Sequence, residues 1–250
     1  MADTKRKTAG LRHGVMSLAG CGALMALPSV HAADYITTLG VLGQSEFRTL
    51  SQDLGSGVSF KGVVPAESLG VLGFDISASA TGMKVPNRDL WRRASGGSSV
   101  DQWIAMGGIR AHKGLPGGVD IGAFYNTSSN NVGVWGAEAR WAFIRGNAVL
   151  PAVAVRGSYS ALTGVDQLKL NTTGIDLSIS KGILMFTPYA GIGKVWVRST
   201  PEGVPGLQRE SFSMNKAFAG ININLGINLA AEVDRTGDVT SYSVKTGIRF

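Results

Sequence analysis

Charged residues recur at every second position in several stretches of the chain, a spacing that puts them on one face of a strand. Glu138 and Arg140, for example, both stand between apolar residues. Both signs of charge occur, which favours an interior network of ion pairs and hydrogen bonds. A pore lining that selects solutes is the alternative role for the same residues. They are Asp75, Asp120, Glu138, Arg140, Arg156, Asp176, Glu232, Asp234, Lys245 and Arg249.

Residues suited to catalysis are scarce. Of the three histidines, His13 and His31 lie in the first 32 residues, which leaves His112 as the one candidate general base. Zinc needs further His or Cys ligands, and the single cysteine is Cys21. We therefore expect no enzyme activity, no metal and no cofactor, and a buried His112 near Asp120 on the paired strand.

The first 32 residues have the parts of an export signal. The positive charges lie within residues 5–12, residues 14–30 are apolar and uncharged, and small residues follow at Ala32 and Ala33. We expect a signal peptide of residues 1–32. The stretch Leu18–Cys21 resembles the lipobox of bacterial lipoproteins, so lipidation of Cys21 remains the alternative. With cleavage after Ala32 the mature chain contains no cysteine, which excludes disulfides.

Removal of the signal lowers the net charge from +7 to +4, because 20 Lys and Arg then face 16 Asp and Glu. This weak balance does not predict a nucleic-acid partner, which needs a clustered basic face. The 35 glycines are spread along the chain and do not form a linker. After the signal, the sequence offers no run of about 20 apolar residues for a transmembrane helix.

From Leu72 onward apolar and polar residues alternate, which is typical of strands with one polar and one apolar face. Most of the strands are long enough for a tilted strand to cross a bilayer, which takes about 9–11 residues. We predict about ten strands, within a range of eight to twelve. Their approximate bounds are 71–84, 102–114, 118–128, 131–145, 149–162, 167–182, 184–199, 209–225, 226–236 and 240–250.

Residues 33–64 form a separate N-terminal segment before the barrel domain of residues 65–250. Phe47, Leu50 and Leu54 have helical spacing, with Ser45 as the expected N-cap and Gly55 as the expected stop. We expect this short helix at one end of the barrel or as a plug inside it, followed by a short strand over residues 57–64.

Connections alternate between short turns and longer loops, the longer ones near residues 86–99, 128–131, 162–166, 201–206 and 235–240. Aromatic residues fall near strand ends, as expected for belts at the two membrane interfaces. The belt at the long loops comprises Trp103, Tyr125, Trp135, Tyr159 and Tyr242. The belt at the short turns comprises Phe74, Phe143, Phe186, Tyr189 and Phe250.

The last strand alternates from Tyr242 to Ile248 and ends on Phe250. It resembles the C-terminal assembly signal of bacterial outer-membrane proteins, whose alternating apolar residues end on an aromatic carboxy-terminal residue. The resemblance implies that the barrel-assembly machinery recognises Tyr242, Ile248 and Phe250. It also implies an all-β, antiparallel, up-and-down transmembrane barrel in the cell outer membrane, without fixing one family.

Two ion-pair registers follow from this closure. Arg249 should approach Asp75 across the seam between the last and first strands. Glu138 and Arg140 should lie at the level of Arg156 on the neighbouring strand.

Outer-membrane lipid and lipopolysaccharide are the expected surroundings, and the basic loop Lys84–Arg93, which includes Trp91, either contacts lipopolysaccharide phosphates or is simply solvated. We predict a structural or narrow-channel barrel without catalysis. One alternative is a transporter of small apolar ligands with an N-terminal plug, which is similar to the long-chain fatty-acid channel family. The other is a soluble periplasmic β-protein.

Overall fold

The computed structural model describes residues 36–128 and 132–250, and in them ten antiparallel strands close into a barrel. Each strand pairs with its neighbours in the chain, and the last strand pairs with the first. The prediction of a closed, all-antiparallel barrel of about ten strands is confirmed. The strands are β1 (Phe74–Lys84), β2 (Trp103–Leu115), β3 (Val119–Thr127), β4 (Gly133–Arg145), β5 (Ala152–Thr163), β6 (Leu168–Ser180), β7 (Phe186–Pro201), β8 (Glu210–Asn224), β9 (Asn228–Thr236) and β10 (Val239–Arg249).

The predicted signal peptide, its cleavage site at Ala32 and the lipobox at Cys21 lie outside the described residues. Within residues 36–128 and 132–250 no helix combines the length and the apolar character needed to cross a membrane.

Strand alternation turns the charged face inward and the apolar face outward. Asp75 is fully buried in the lumen while its neighbour Ile76 is 62% exposed on the outer wall. The same contrast holds between Arg140 and Trp141. A soluble protein buries its apolar face, so this inverted arrangement matches a barrel whose outer wall faces lipid.

The two ends of the barrel differ. Turns between β2 and β3, β4 and β5, β6 and β7, and β8 and β9 lie at the end where β1 begins and β10 ends, called the short-turn end. The opposite, long-loop end carries the β1–β2 connection, in which Arg88–Ala94 forms helix α2 that the sequence did not indicate. The longer loop expected at residues 235–240 is wrong, because β9 and β10 are joined by the tight turn Gly237–Asp238.

Aromatic rings on the outer wall meet in pairs near the strand ends. At the long-loop end Trp103 lies 5.7 Å from Tyr242, and Trp135 lies 5.4 Å from Tyr159, between ring centroids. The assignment of Tyr189 to the short-turn belt is wrong. Its side chain points into the lumen and donates a 3.0 Å hydrogen bond to Glu232, because its parity on β7 is opposite to that of the outward Phe186.

The predicted helix exists but is longer than expected. Helix α1 spans Gln44–Val58, and its N-cap is Gly43 where Ser45 was expected. It continues past Gly55, where we expected a stop, because this glycine allows the helix to touch the barrel wall. A Cβ atom there would lie 2.8 Å from the Cγ atoms of Val197. The strand expected over residues 57–64 is wrong, since the chain after Val58 is irregular.

The described N-terminal segment, residues 36–73, runs through the lumen from one end to the other. At the long-loop end the backbone N–H of Leu39 donates to Gln167 in the β5–β6 loop, at 3.0 Å. Ser51 of α1 also lies near this end, where its Oγ is 2.8 Å from the Oγ of Ser199, two residues before the end of β7. At the short-turn end Val71 O accepts a 2.5 Å hydrogen bond from Lys113 on β2. The chain thus passes through its own barrel before it enters β1.

Apolar packing holds the helical part of this segment. Phe47, Leu50 and Leu54 of α1 are buried against the wall in the long-loop half of the lumen, as their spacing predicted. Helix α2 covers this core from above. The indole N–H of Trp91 donates to Asp53 of α1 at 3.0 Å, so this tryptophan is buried, not part of a solvated loop.

Candidate functional site

The short-turn half of the lumen is lined by charged side chains that hold an irregular stretch of the N-terminal segment. This stretch, residues 59–69, is called the linker. Peptide N–H and C=O groups that lie outside a helix or sheet need other partners when they are buried. The charged residues of the wall supply those partners.

Cationic side chains hydrogen-bond the carbonyl groups of the linker. Arg110 of β2 donates to Lys61 O at 2.5 Å and to Gly62 O at 3.0 Å. Arg140 of β4 donates to Pro65 O at 2.5 Å. Lys216 of β8 donates to the carbonyl oxygen of Phe60. Side chains of three strands, β2, β4 and β8, therefore bind carbonyl groups of the linker.

Carboxylates accept from the linker's N–H groups. Glu232 of β9 accepts from Val63 N at 2.8 Å, and Asp120 of β3 accepts from Leu69 N at 3.1 Å. Asp120 also accepts from the hydroxyl of Ser68 and pairs with Arg140 at 2.5 Å. Arg140 and Asp120 therefore bind each other and the linker at the same time.

The linker contributes a buried charge of its own, Lys61, which is 3% exposed. Its Nζ lies 2.5 Å from Asp234 Oδ1 and donates at 2.8 Å to both Ser56 O and Ser59 Oγ. Lys216 Nζ lies 3.7 Å from the other oxygen of Asp234. A buried pair of this kind is expensive to break, because the remaining charge loses its partner without regaining water.

A second group of charged side chains comes from β2, β4, β5 and β6. Arg156 of β5 donates to Asp176 of β6 at 2.7 Å and contacts Glu138 of β4 at 3.4 Å. His112 Nε2 lies 3.1 Å from the other oxygen of Glu138. The carboxylate that His112 contacts is therefore Glu138, where we expected Asp120.

The register explains the position of His112. It stands opposite Gly122 on β3, and Gly122 stands opposite Glu138 on β4. A Cβ atom at Gly122 would lie 2.1 Å from the His112 ring. Because this glycine has no side chain, the imidazole crosses β3 and reaches the carboxylate beyond it.

The closing seam has the predicted register, since Asp75 of β1 pairs with Arg249 of β10. The ion pair, however, joins Asp75 to Lys245, at 2.5 Å. Arg249 lies closer to the rim and is only half-buried. The second predicted register also holds, because Arg140 stands opposite Arg156 on the neighbouring strand.

Sequence reasoning missed three members of this cluster: Lys61, Arg110 and Lys216. Arg110 and Lys216 have the inward parity of their strands, so the alternation contained the signal that would have identified them. Phe60 and Phe124 add aromatic surfaces, with the Arg110 guanidinium 5.2 Å from the Phe124 ring centroid. Lys61 lies on irregular chain, where no periodicity marks it.

At the long-loop rim the contacts are exposed and weaker. Arg93 of α2 hydrogen-bonds Glu46 in the first turn of α1, and Gly43 N donates to the same carboxylate at 3.1 Å. These two donors lower the pKa of Glu46. Salt bridges this exposed contribute little to stability.

Within the described residues, no three His, Cys, Asp or Glu side chains come together in a way that could hold a metal ion. The ionisable groups of the lumen instead contact one another and the linker. Chemically, this arrangement is suited to fixing a chain in place.

Replacement of Lys61 tests whether the buried charges hold the linker in place. Lys61→Met leaves Asp234 buried without its nearest cation, and we expect a loss of about 3–5 kcal/mol in the free energy of unfolding. Adding Asp234→Asn removes the stranded charge and should restore at least half of that loss. Lys169→Met, an exposed outward position on β6, is the control and should change stability by less than about 0.5 kcal/mol.

Denaturant unfolding in detergent micelles, followed by tryptophan fluorescence, measures these differences. Equal free energies of unfolding for Lys61→Met and the Lys169→Met control would contradict the claim that the buried Lys61–Asp234 pair holds the linker.

No protein-family model matches the chain, and no curated protein does. Among solved structures it is similar to the N-terminal β-barrel domain of Pseudomonas aeruginosa OprF, at 13% identity and a TM-score of 0.38 over 70% of this chain and 97% of that one. It is also similar to the outer-membrane protein OprG of P. aeruginosa, at 10% identity and a TM-score of 0.36 over 75% and 99%.

A third similar structure is the translocator domain of autotransporter NalP from Neisseria meningitidis, at 11% identity and a TM-score of 0.33 over 83% of this chain and 94% of that one. None of these similarities is close enough to indicate function. The chain's own geometry, a closed barrel with an apolar outer wall and a charged interior, is that of an integral outer-membrane protein.

Proposed function

We propose that the protein is a closed structural barrel of the outer membrane, without catalysis, which holds its own N-terminal segment in the lumen. The observation that carries this proposal is the linker, whose backbone is bound by side chains from β2, β3, β4, β8 and β9. A segment that side chains of five strands bind is a fixed part of the barrel lumen.

A filled lumen favours the structural role over the narrow channel. Ten strands enclose slightly more space than the eight-stranded barrels whose interior side chains just fill. Here α1 occupies the extra width in the long-loop half, and the linker occupies it in the short-turn half. A solute would have to displace buried ion pairs such as Lys61–Asp234 to pass.

The path of the N-terminal segment also indicates at which end of the barrel the described chain starts. Thr37 and Thr38 donate backbone hydrogen bonds to Ala94 O of α2, both at 3.0 Å, so the described chain starts at the long-loop end. Outer-membrane barrels have their longer loops outside and their short turns in the periplasm. We infer that the start of the described chain at Ile36 and the long loops together face the outside of the cell.

A transporter of small apolar ligands is the second candidate. The observation that favours it is an apolar cavity of about 60 Å³ between α1 and the strand ends, lined in part by Leu54, Met83 and Ile104. This volume is less than half of the roughly 150 Å³ of an engineered apolar cavity that binds benzene. It suits a very small molecule, and the segment below would have to move for anything to pass through.

Conductance separates the closed barrel from the channel. The purified protein, inserted into planar bilayers, should give no stepwise current above that of bilayers with detergent alone, because the lumen is filled along its length. Steady, ohmic current steps from folded protein would contradict the proposal.

An epitope tag tests the direction of display. Inserted between Ala33 and Asp34, it should bind antibody on intact cells, since the chain emerges at the long-loop end. The same tag between Gly182 and Ile183, in a short turn, is the matched control and should be reached only after the outer membrane is permeabilised. The topology is wrong if the N-terminal tag behaves like the short-turn tag.

A further inference from the structure

An outward-facing lysine lies below the belt of aromatic rings at the long-loop end. On β7, Trp196 is in register with Thr173 of β6, and Thr173 is in register with the belt residue Tyr159. Lys194 lies on the same outer face as Trp196, two residues nearer the short-turn end, and is exposed. The corresponding outward position below Tyr242 on β10 is Val244.

A cation facing lipid costs free energy that grows with its depth below the interface. Its presence therefore points to a partner that compensates the charge. A lysine so close to the belt can extend its ammonium toward the headgroups and keep its stem against the wall.

Lys194 lies at the edge of a groove of about 730 Å³ in the outer wall. The floor of the groove is apolar and is formed by Val155, Ile175, Leu177, Ile192 and Ala217. Ala217 pairs with Ile192 on one side and with Arg235 on the other. Because the alanine side chain is small, it leaves space above the floor between these two neighbours. Arg235 and Asn215 line the end nearer the long loops together with Lys194.

The outward-facing charged side chains in the lining of this groove are both cations, Lys194 and Arg235. The carboxylate in its lining, Asp176, points into the lumen and pairs there with Arg156 at 2.7 Å. On the outer surface Asp238 lies 3.9 Å from Arg235, a long and highly exposed contact that neutralises the guanidinium weakly.

A second groove on the opposite side of the wall is an internal comparison, because its volume is similar, about 670 Å³. Its outward-facing lining is uncharged and consists of Ile76, Ala78, Ile109, Ala111, Ala123, Tyr125 and Ile248. Lipid chains alone would fit that surface. The first groove adds two cations above an apolar floor, which is the arrangement that complements one phosphorylated lipid.

We propose that the groove between β5 and β9 binds a phosphorylated lipid of the outer leaflet. An acyl chain lies along the apolar floor, and a phosphate lies between Lys194 and Arg235. Both side chains form charge-assisted hydrogen bonds with phosphate oxygens. The inference rests on the proposed orientation, in which the long-loop end faces outward.

The test uses the full barrel purified in a mild detergent. It compares Lys194→Gln/Arg235→Gln with the control Lys169→Gln/Arg198→Gln, whose two exposed outward cations lie outside the groove lining. Both variants lose the same charge. Heat-dependent mobility on detergent gels checks that each one folds.

Native mass spectrometry then counts the lipid retained from a fixed amount of lipid A bearing its phosphates. Wild type and control should hold one molecule per barrel, and the groove variant should hold at least ten-fold less. Dephosphorylated lipid A should bind wild type no better than it binds the groove variant.

Equal retention of phosphorylated lipid A by all three proteins overturns the proposal. So does a wild-type barrel that holds as much dephosphorylated as phosphorylated lipid A. A barrel that sits in the outer membrane but holds no lipid in the groove refutes this site alone. A protein recovered in the soluble periplasm refutes the proposed function itself.

Discussion

An irregular chain inside a barrel can persist only if every buried peptide group finds a hydrogen-bond partner. Ser59 N still donates to Gly55 O at the end of α1, but residues 60–69 lie outside any helix or sheet, so the wall must supply their partners. Arg110 and Arg140 donate to linker carbonyl groups, while Asp120 and Glu232 accept from its N–H groups. The charges of the lumen are therefore tied to the backbone that they surround, and apolar replacements would leave that backbone unpaired.

The lumen divides into two halves that hold the chain by different forces. In the long-loop half the segment is helical and satisfies its own backbone, so apolar side chains such as Phe47 and Leu50 suffice to hold it. In the short-turn half the backbone is irregular, and ion pairs such as Lys61–Asp234 replace apolar packing. The change from one to the other follows the end of α1 at Val58. Local backbone structure thus determines which side chains the wall must present.

Most of the wall could be predicted from sequence, because alternation reports directly which side of a strand each residue faces. The partners of the inward charges could not. Lys61 lies on aperiodic chain, and the contact of His112 with Glu138 depends on the missing side chain of Gly122. The end of α1 could not be predicted either. Gly55 resembles a helix stop in the sequence, but it serves a close contact between the helix and the wall, which only the packed structure reveals. Tyr189 was misplaced by one position of parity, which in a strand reverses the face.

The central claim, that the N-terminal segment lies inside the barrel, is tested most directly by a disulfide between α1 and β7. The hydroxyls of Ser51 and Ser199 are 2.8 Å apart, a separation that suits a cross-link between cysteines at these sites. The variant Ser51→Cys/Ser199→Cys should form this disulfide under mild oxidation in native membranes, as detected by peptide mass spectrometry. Ser51→Cys/Ser180→Cys, whose second site lies at the short-turn end of β6, should stay reduced. A folded Ser51→Cys/Ser199→Cys barrel that stays reduced would contradict the account.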